Sequence, residues 1–168
     1  MAALRSGSAW VRVLCLAALA LGCVACGNGD DGGSPSGEGD GTDPYAAERK
    51  ACVDRINGFR ATENLPPLAA WTDKGICTDA EAKSDSASGQ AHGAFGMCGE
   101  GAQNECPGWG SIEQTIQGCL QDMWDEGPGE PYSEHGHYIN MSNPDYTKVA
   151  CGFYEKPDGK VWAIQNFR

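Results

Sequence analysis

Basic side chains are scarce in this sequence. Lys and Arg number 12 against 23 Asp and Glu, for a formal net charge of −11. That balance repels a phosphate backbone and excludes nucleic acid as a partner class. Long apolar runs are missing as well. Val13-Leu-Cys-Leu-Ala-Ala-Leu-Ala-Leu-Gly22 falls well short of the roughly 20 apolar residues that a spanning helix needs. No Gly-x-Ser-x-Gly elbow offers a serine nucleophile. Beyond residue 26 no Cys-x-x-Cys pair occurs, which argues against a zinc–thiolate site. Histidine is limited to His92, His135 and His137, so imidazole chemistry must use these three.

Cysteine, by contrast, is abundant. Nine of them point to an oxidising compartment. Arg5 and Arg12 lead into the short apolar run, the pattern of an export signal over residues 1–26. The run ends in Ala20-Leu-Gly-Cys23 and Cys23-Val-Ala-Cys26, both of which resemble the bacterial lipobox. Cys26 is favoured over Cys23 as the lipidated residue, because the spacer composition starts directly after it. The expectation is an exported protein, secreted or tethered to the cell envelope. Removing the leader leaves Cys52, Cys77, Cys98, Cys106, Cys119 and Cys151, an even set that predicts three disulfides. Cys98 and Cys106 are near enough in sequence to cross-link locally.

Residues 27–43 are Gly, Asp, Ser and other residues with nothing to bury. They read as an acidic flexible linker. The folded domain is expected over 44–168. A helix is predicted from Pro44 to about Thr62, carrying Cys52, Ile56 and Phe59 at helical spacing and ended by Pro66-Pro67. Leu65, Leu68 and Trp71 suggest an extended crossing. A second helix over Thr72 to about Ser86 would place Ile76, Ala80 and Lys83 on one side. Ser88 to Gly110 is glycine-rich and reads as a long irregular loop. Ser111 and Gln114 then form a capping box for a helix to Glu126, with Ile112, Ile116, Cys119, Leu120, Met123 and Trp124 as its apolar stripe. Lys148–Tyr154 and Lys160–Phe167 are strand-like, joined by a Pro- and Gly-containing turn. Both faces of these strands carry apolar groups, which calls for helices on both sides of a small sheet. Trp124 and Trp162 read as core, and Trp109 as the tryptophan free to be exposed.

Two chemistries are open. His135 and His137, two apart, would share a face in an extended segment. With His92 they would make a three-nitrogen site suited to zinc. A serine–histidine pairing through Ser84, Ser86, Ser88 or Ser142 has no spacing to support it.

The order of the motifs resembles the CAP superfamily of cysteine-rich secretory proteins, venom antigens and pathogenesis-related proteins. Asn57-Gly-Phe-Arg60 and Pro67-Leu-Ala-Ala-Trp71 resemble its opening helix and the segment after it. Ala91-His92 resembles the position of its first site histidine. Gly101-Ala-Gln103-Asn104 resembles a Gly-Glu-Asn motif with Gln103 at the acidic place. His137-Tyr-Ile-Asn140-Met-Ser-Asn143-Pro144, Cys151-Gly-Phe-Tyr154 and Val161-Trp-Ala-Ile-Gln165-Asn166-Phe167 resemble its closing segments. The resemblance covers residues 46–168. It implies an α+β fold, a three-layer α-β-α sandwich with a C-terminal β-hairpin. It also implies a cleft with two histidines and two acids, here His92, His137, Gln103 or a neighbouring Glu100 or Glu105, and Glu126. His135 has no counterpart in it. Family members are linked to zinc, to sterol or lipid ligands, and occasionally to proteolysis. Because Gln103 lacks the charge, the expectation is a binding module without catalysis. Its partner would be a small apolar ligand or an envelope or extracellular protein. A zinc-dependent hydrolase using His92 and His137 is the alternative.

Overall fold

The computed structural model describes residues 43–168. The expected signal segment, Cys23, Cys26 and all of the linker except Asp43 lie outside the described residues. Among those described, no helix is long and apolar enough to cross a membrane.

Helix α1 spans Ala46–Thr62 and turns Cys52, Val53, Ile56 and Phe59 inward at the three- and four-residue spacing that puts them on one face. The chain after it is fixed by Asn57. Its Oδ1 accepts from Leu68 N (2.7 Å) and its Nδ2 donates to Leu68 O (2.9 Å). Strand β1, Ala69–Ala70, follows at once. A 3₁₀ turn, Thr72–Lys74, leads into α2, Gly75–Ser88, which stops where Gly89 takes a left-handed φ of 69°. Strand β2 is Ala102–Trp109. Helix α3 runs without a break through Ile112–Gln114, Thr115–Cys119 and Leu120–Asp125, the middle piece being a π turn. Ser111 caps it, its side chain accepting from Gln114 N. Helix α4 is Tyr132–Ser142, and Lys148–Glu155 and Val161–Phe167 form β3 and β4. The sheet order is β1-β3-β4-β2, with β1 parallel to β3 and the other pairs antiparallel.

The layers follow from the alternation along β4. Val161, Ala163 and Phe167 enter a core with α1, α3 and Met141 of α4. Trp162 and Ile164 face the other way, onto Ala82 of α2. Side chains alternate across a strand, so one strand serves two cores. This is the expected α+β three-layer sandwich with its C-terminal hairpin. All six domain cysteines are paired: Cys52–Cys151 joins α1 to β3, Cys77–Cys98 joins α2 to the segment after it, and Cys106–Cys119 joins β2 to α3.

Five expectations need correction. Cys98 and Cys106 do not bond each other. Cys106 lies on β2 in the core beneath α3, whereas Cys98 is tied back to α2. The stretch 88–110 is not wholly irregular, because its last part is β2. Buried Gln103, Asn104 and Glu105 hide that strand from a hydrophobicity pattern. Helix α2 does not present Ile76 inward, and that side chain is 72% exposed. Its buried face is Thr78, Glu81, Ala82 and Asp85. β3 comes so close there that a Cβ on Gly152 would lie 2.4 Å from the Thr78 carbonyl carbon. Trp109 is half-buried and lies over Gly118, so it is not free. Finally, His135 and His137 sit on α4 and not in an extended segment, so two residues of separation turn them to different sides.

Candidate functional site

Three elements meet around His92 and His137. His92 follows α2 in a segment of turns and has a φ of 60°, uncommon for a residue with a side chain. Two contacts hold it there. Its amide donates to Glu105 Oε1 (2.6 Å), and its Nδ1 lies 2.9 Å from Gln103 Oε1. The Gln103 amide has only one consistent orientation. Its Nε2 donates to Asn166 Oδ1 (3.1 Å), which leaves Oε1 for the imidazole. An amide oxygen only accepts, so Nδ1 of His92 carries the hydrogen and Nε2 of the neutral ring keeps its lone pair.

His137 is held in the same sense by another element. Glu126, just past α3, accepts from His137 N (3.0 Å) and Tyr138 N (3.4 Å), and its Oε1 stands 2.5 Å from His137 Nδ1. A carboxylate accepts, so here too Nε2 is the free nitrogen. Behind this pair lies an aromatic column. Phe59 stacks on Trp124 (5.3 Å), Trp124 packs on Tyr138 (4.6 Å), and Arg55 covers Phe59. It fixes the end of α3 that delivers Glu126. Helix α4 is tied to β2 by amides: Asn140 Nδ2 donates to Asn104 Oδ1 (2.9 Å), and Asn104 Nδ2 to His137 O (3.1 Å).

His92, Gln103, His137, Asn140 and Tyr132 line one hollow of about 230 Å³. An adjoining hollow of about 480 Å³ shares His92, Gln103, Tyr132 and Asn140 and adds Phe95, Ile139 and Tyr146. Phe95 and Tyr132 are 51% and 55% exposed, so an apolar lip stands beside the histidines. His135 is kept out of this arrangement. Its Nδ1 lies 2.8 Å from Glu126 O and 3.0 Å from Gly127 O, a structural role for the turn after α3. Among the described residues no serine hydrogen-bonds an imidazole.

Neither Glu100 nor Glu105 lines the hollow. Glu105 stands behind His92, buried, and its second oxygen accepts from Trp162 Nε1 (2.8 Å). Burial, and after it the adjacent carboxyl of Asp85, push its pKa up to about 7. Sequence reasoning missed this carboxylate layer, although Thr78, Glu81 and Asp85 recur at helical spacing and could have been read as one polar face.

The chain belongs to the cysteine-rich secretory protein family, CAP, whose pattern it matches over residues 53–167. No curated protein matches it. Among solved structures it is similar to BmVAL-1 (TM-score 0.57, 17% identity, 77% of this chain and 79% of that one). It is also similar to NaASP2 with Zn2+ (0.55, 13%, 77% and 82%) and to an outer surface protein of Borrelia burgdorferi (0.54, 14%, 73% and 92%). Against Na-ASP-1 (0.57, 14%, 72% of this chain) it spans 38% of that chain's length. At these identities the likeness is one of fold.

Proposed function

We propose that this protein is an exported binding module, held at a bacterial envelope by a lipid on Cys26 or Cys23 and carrying a histidine-flanked cleft for its ligand. One observation carries the cleft. His92 and His137 border a single hollow, and each has its Nδ1 engaged by an acceptor oxygen, which leaves both Nε2 atoms free. Acceptor oxygens behind an imidazole in this way orient the ring for a metal. The residues present would offer zinc two imidazole nitrogens, from His92 and His137 and not His135, with the remaining positions left to water or to a ligand. Bound there, zinc would supply a Lewis acid. NaASP2, of the same fold, is known with Zn2+.

Binding is favoured over catalysis because the nearby acceptors are already spent. Glu126 is committed to His137, and Gln103 stands where the family pattern has an acid. Among the described residues no free carboxylate lines the hollow to serve as a general base. The lip of Phe95, Tyr132, Ile139 and Tyr146 suits an apolar group on the ligand.

Calorimetric titration of the domain with zinc at neutral pH should show binding. Affinity should fall by at least about a hundredfold in the His92→Ala, His137→Ala double variant and hold in His135→Ala. No binding, or binding that depends on His135 alone, would rule out the site. For the tether, the motive is the lipobox-like leader followed by an acidic spacer. Labelled fatty acid should enter the wild-type chain in a bacterial host and not the Cys23→Ser, Cys26→Ser variant. Equal labelling of both would refute the anchor.

A further inference from the structure

The segment between α2 and β2 carries His92 and Phe95 into the cleft, yet it has no regular structure of its own. Two buried carboxylates hold it. Glu81 on α2 is 0% exposed and Glu100, just ahead of β2, is 6% exposed. Both reach for one donor: Cys98 N lies 3.1 Å from Glu81 Oε1 and 3.1 Å from Glu100 Oε2. The remaining oxygens are taken as well. Glu100 Oε1 accepts from Gly96 N, and Glu81 Oε2 accepts from Asn166 Nδ2 (2.5 Å). Two carboxylates that converge on one amide stand within 4.8 Å of each other, out of water. As two anions they would repel strongly at low dielectric.

The surroundings do not neutralise them. On α2 the neighbours are Thr78 and, one turn on, Asp85. On β2 they are Gln103 and Glu105, and on β4 Asn166. β3 brings Tyr154, whose ring lies under Lys83 (6.0 Å). His92 is the other titratable group within the segment, and it faces Glu105. Among the described residues no lysine or arginine pairs with Glu81 or Glu100. The sulfur of Cys98 is in a disulfide, and every carboxylate oxygen already has a protein donor, so nothing here points to a cation.

We infer that Glu81 keeps a proton against the Glu100 carboxylate and that the two act as a clasp, closing the 90–100 segment onto α2 in acid and loosening it as the pH approaches neutrality. The direction of titration agrees. Burial, with Glu100 beside it, raises Glu81 from the ordinary 4.5 to about 7. The closed segment thus keeps a proton that the opened one gives up. Opening is favoured progressively as pH rises from about 4.5 to about 7, and levels off above that.

Amide hydrogen exchange of the intact domain tests this. The opening equilibrium read at Gly96 and Cys98 should rise by roughly tenfold per pH unit inside that window, after correction for intrinsic exchange. The slope should be reduced in Glu100→Gln, whose amide donates permanently to Glu81. Carbon-13 titration of the glutamate carboxyls in the wild type gives a second reading that needs no variant. One carboxyl of the pair should titrate near neutrality. A flat wild-type profile, a Glu100→Gln profile with the same slope, or both carboxyls titrating near 4.5 would overturn the clasp. So would a slope that chelator treatment changes, since that would put a cation where the proton is inferred.

Discussion

Replacing Cys52 and Cys151 by serine should cost the domain about 4–5 kcal/mol. The bond joins α1 to β3 across a sequence separation of 99 residues. A closed loop of that length removes much entropy from the unfolded chain, roughly 4.7 kcal/mol in the loop-entropy account. Both sulfurs lie in the main core, at 1% exposure each, so the replacement hydroxyls would also meet an apolar environment. Urea unfolding of the two forms checks this. The midpoint should fall steeply, and a change of less than about 1 kcal/mol would contradict the assigned pairing. Breaking Cys77–Cys98, with a separation of 21, should cost less.

Arg60→Ala should be the second large loss, about 3 kcal/mol or more. Arg60 is 1% exposed and, among the described residues, has no carboxylate partner. Its Nε donates to Pro66 O (2.9 Å), and one terminal nitrogen donates to Met141 O (2.7 Å) and Asn143 O (2.9 Å). Burial lowers its pKa, but the charge sits at the C-terminal end of α4, where carbonyls and the helix dipole favour a cation. Alanine would leave three carbonyls short of a donor and remove the strut between α1 and the helix bearing His137. Arg60→Lys should recover only part of the loss, since one ammonium cannot span the same carbonyls. Thermal unfolding of the three forms gives the ranking. An Arg60→Ala protein as stable as the wild type would contradict the strut.

These residues also show what could be read from the sequence and why. Asn57 and Arg60 belong to the opening motif, and each has a fixed structural task, clamping Leu68 and bracing α4. The strands β3 and β4, the capped α3 and the two-sided sheet follow from apolar patterning that burial enforces. Where the pattern failed, a polar group had replaced an apolar one inside. Strand β2 buries Gln103, Asn104 and Glu105, and α2 buries Thr78, Glu81 and Asp85. Such positions look like surface until their partners on other elements are known. Disulfide pairing was beyond reach for a related reason: it depends on which face of the sheet each cysteine takes. In the cleft, Gln103, Glu126, His92 and His137 were named from the resemblance, and the structure brings them into two hydrogen-bonded pairs. The roles of Glu105, Trp162 and Asp85 behind His92 were not visible, because those contacts span up to 57 residues.

On the proposed function, His92 and His137 hold their Nε2 atoms free for a ligand. Two-bond proton–nitrogen correlation of the imidazoles, followed through a zinc titration, tests it most directly. The expected result is the Nδ1–H tautomer for both rings without metal, and movement of both Nε2 resonances on adding zinc, with His135 unmoved. The Nε2–H tautomer at either ring, or a zinc response confined to His135, would contradict it.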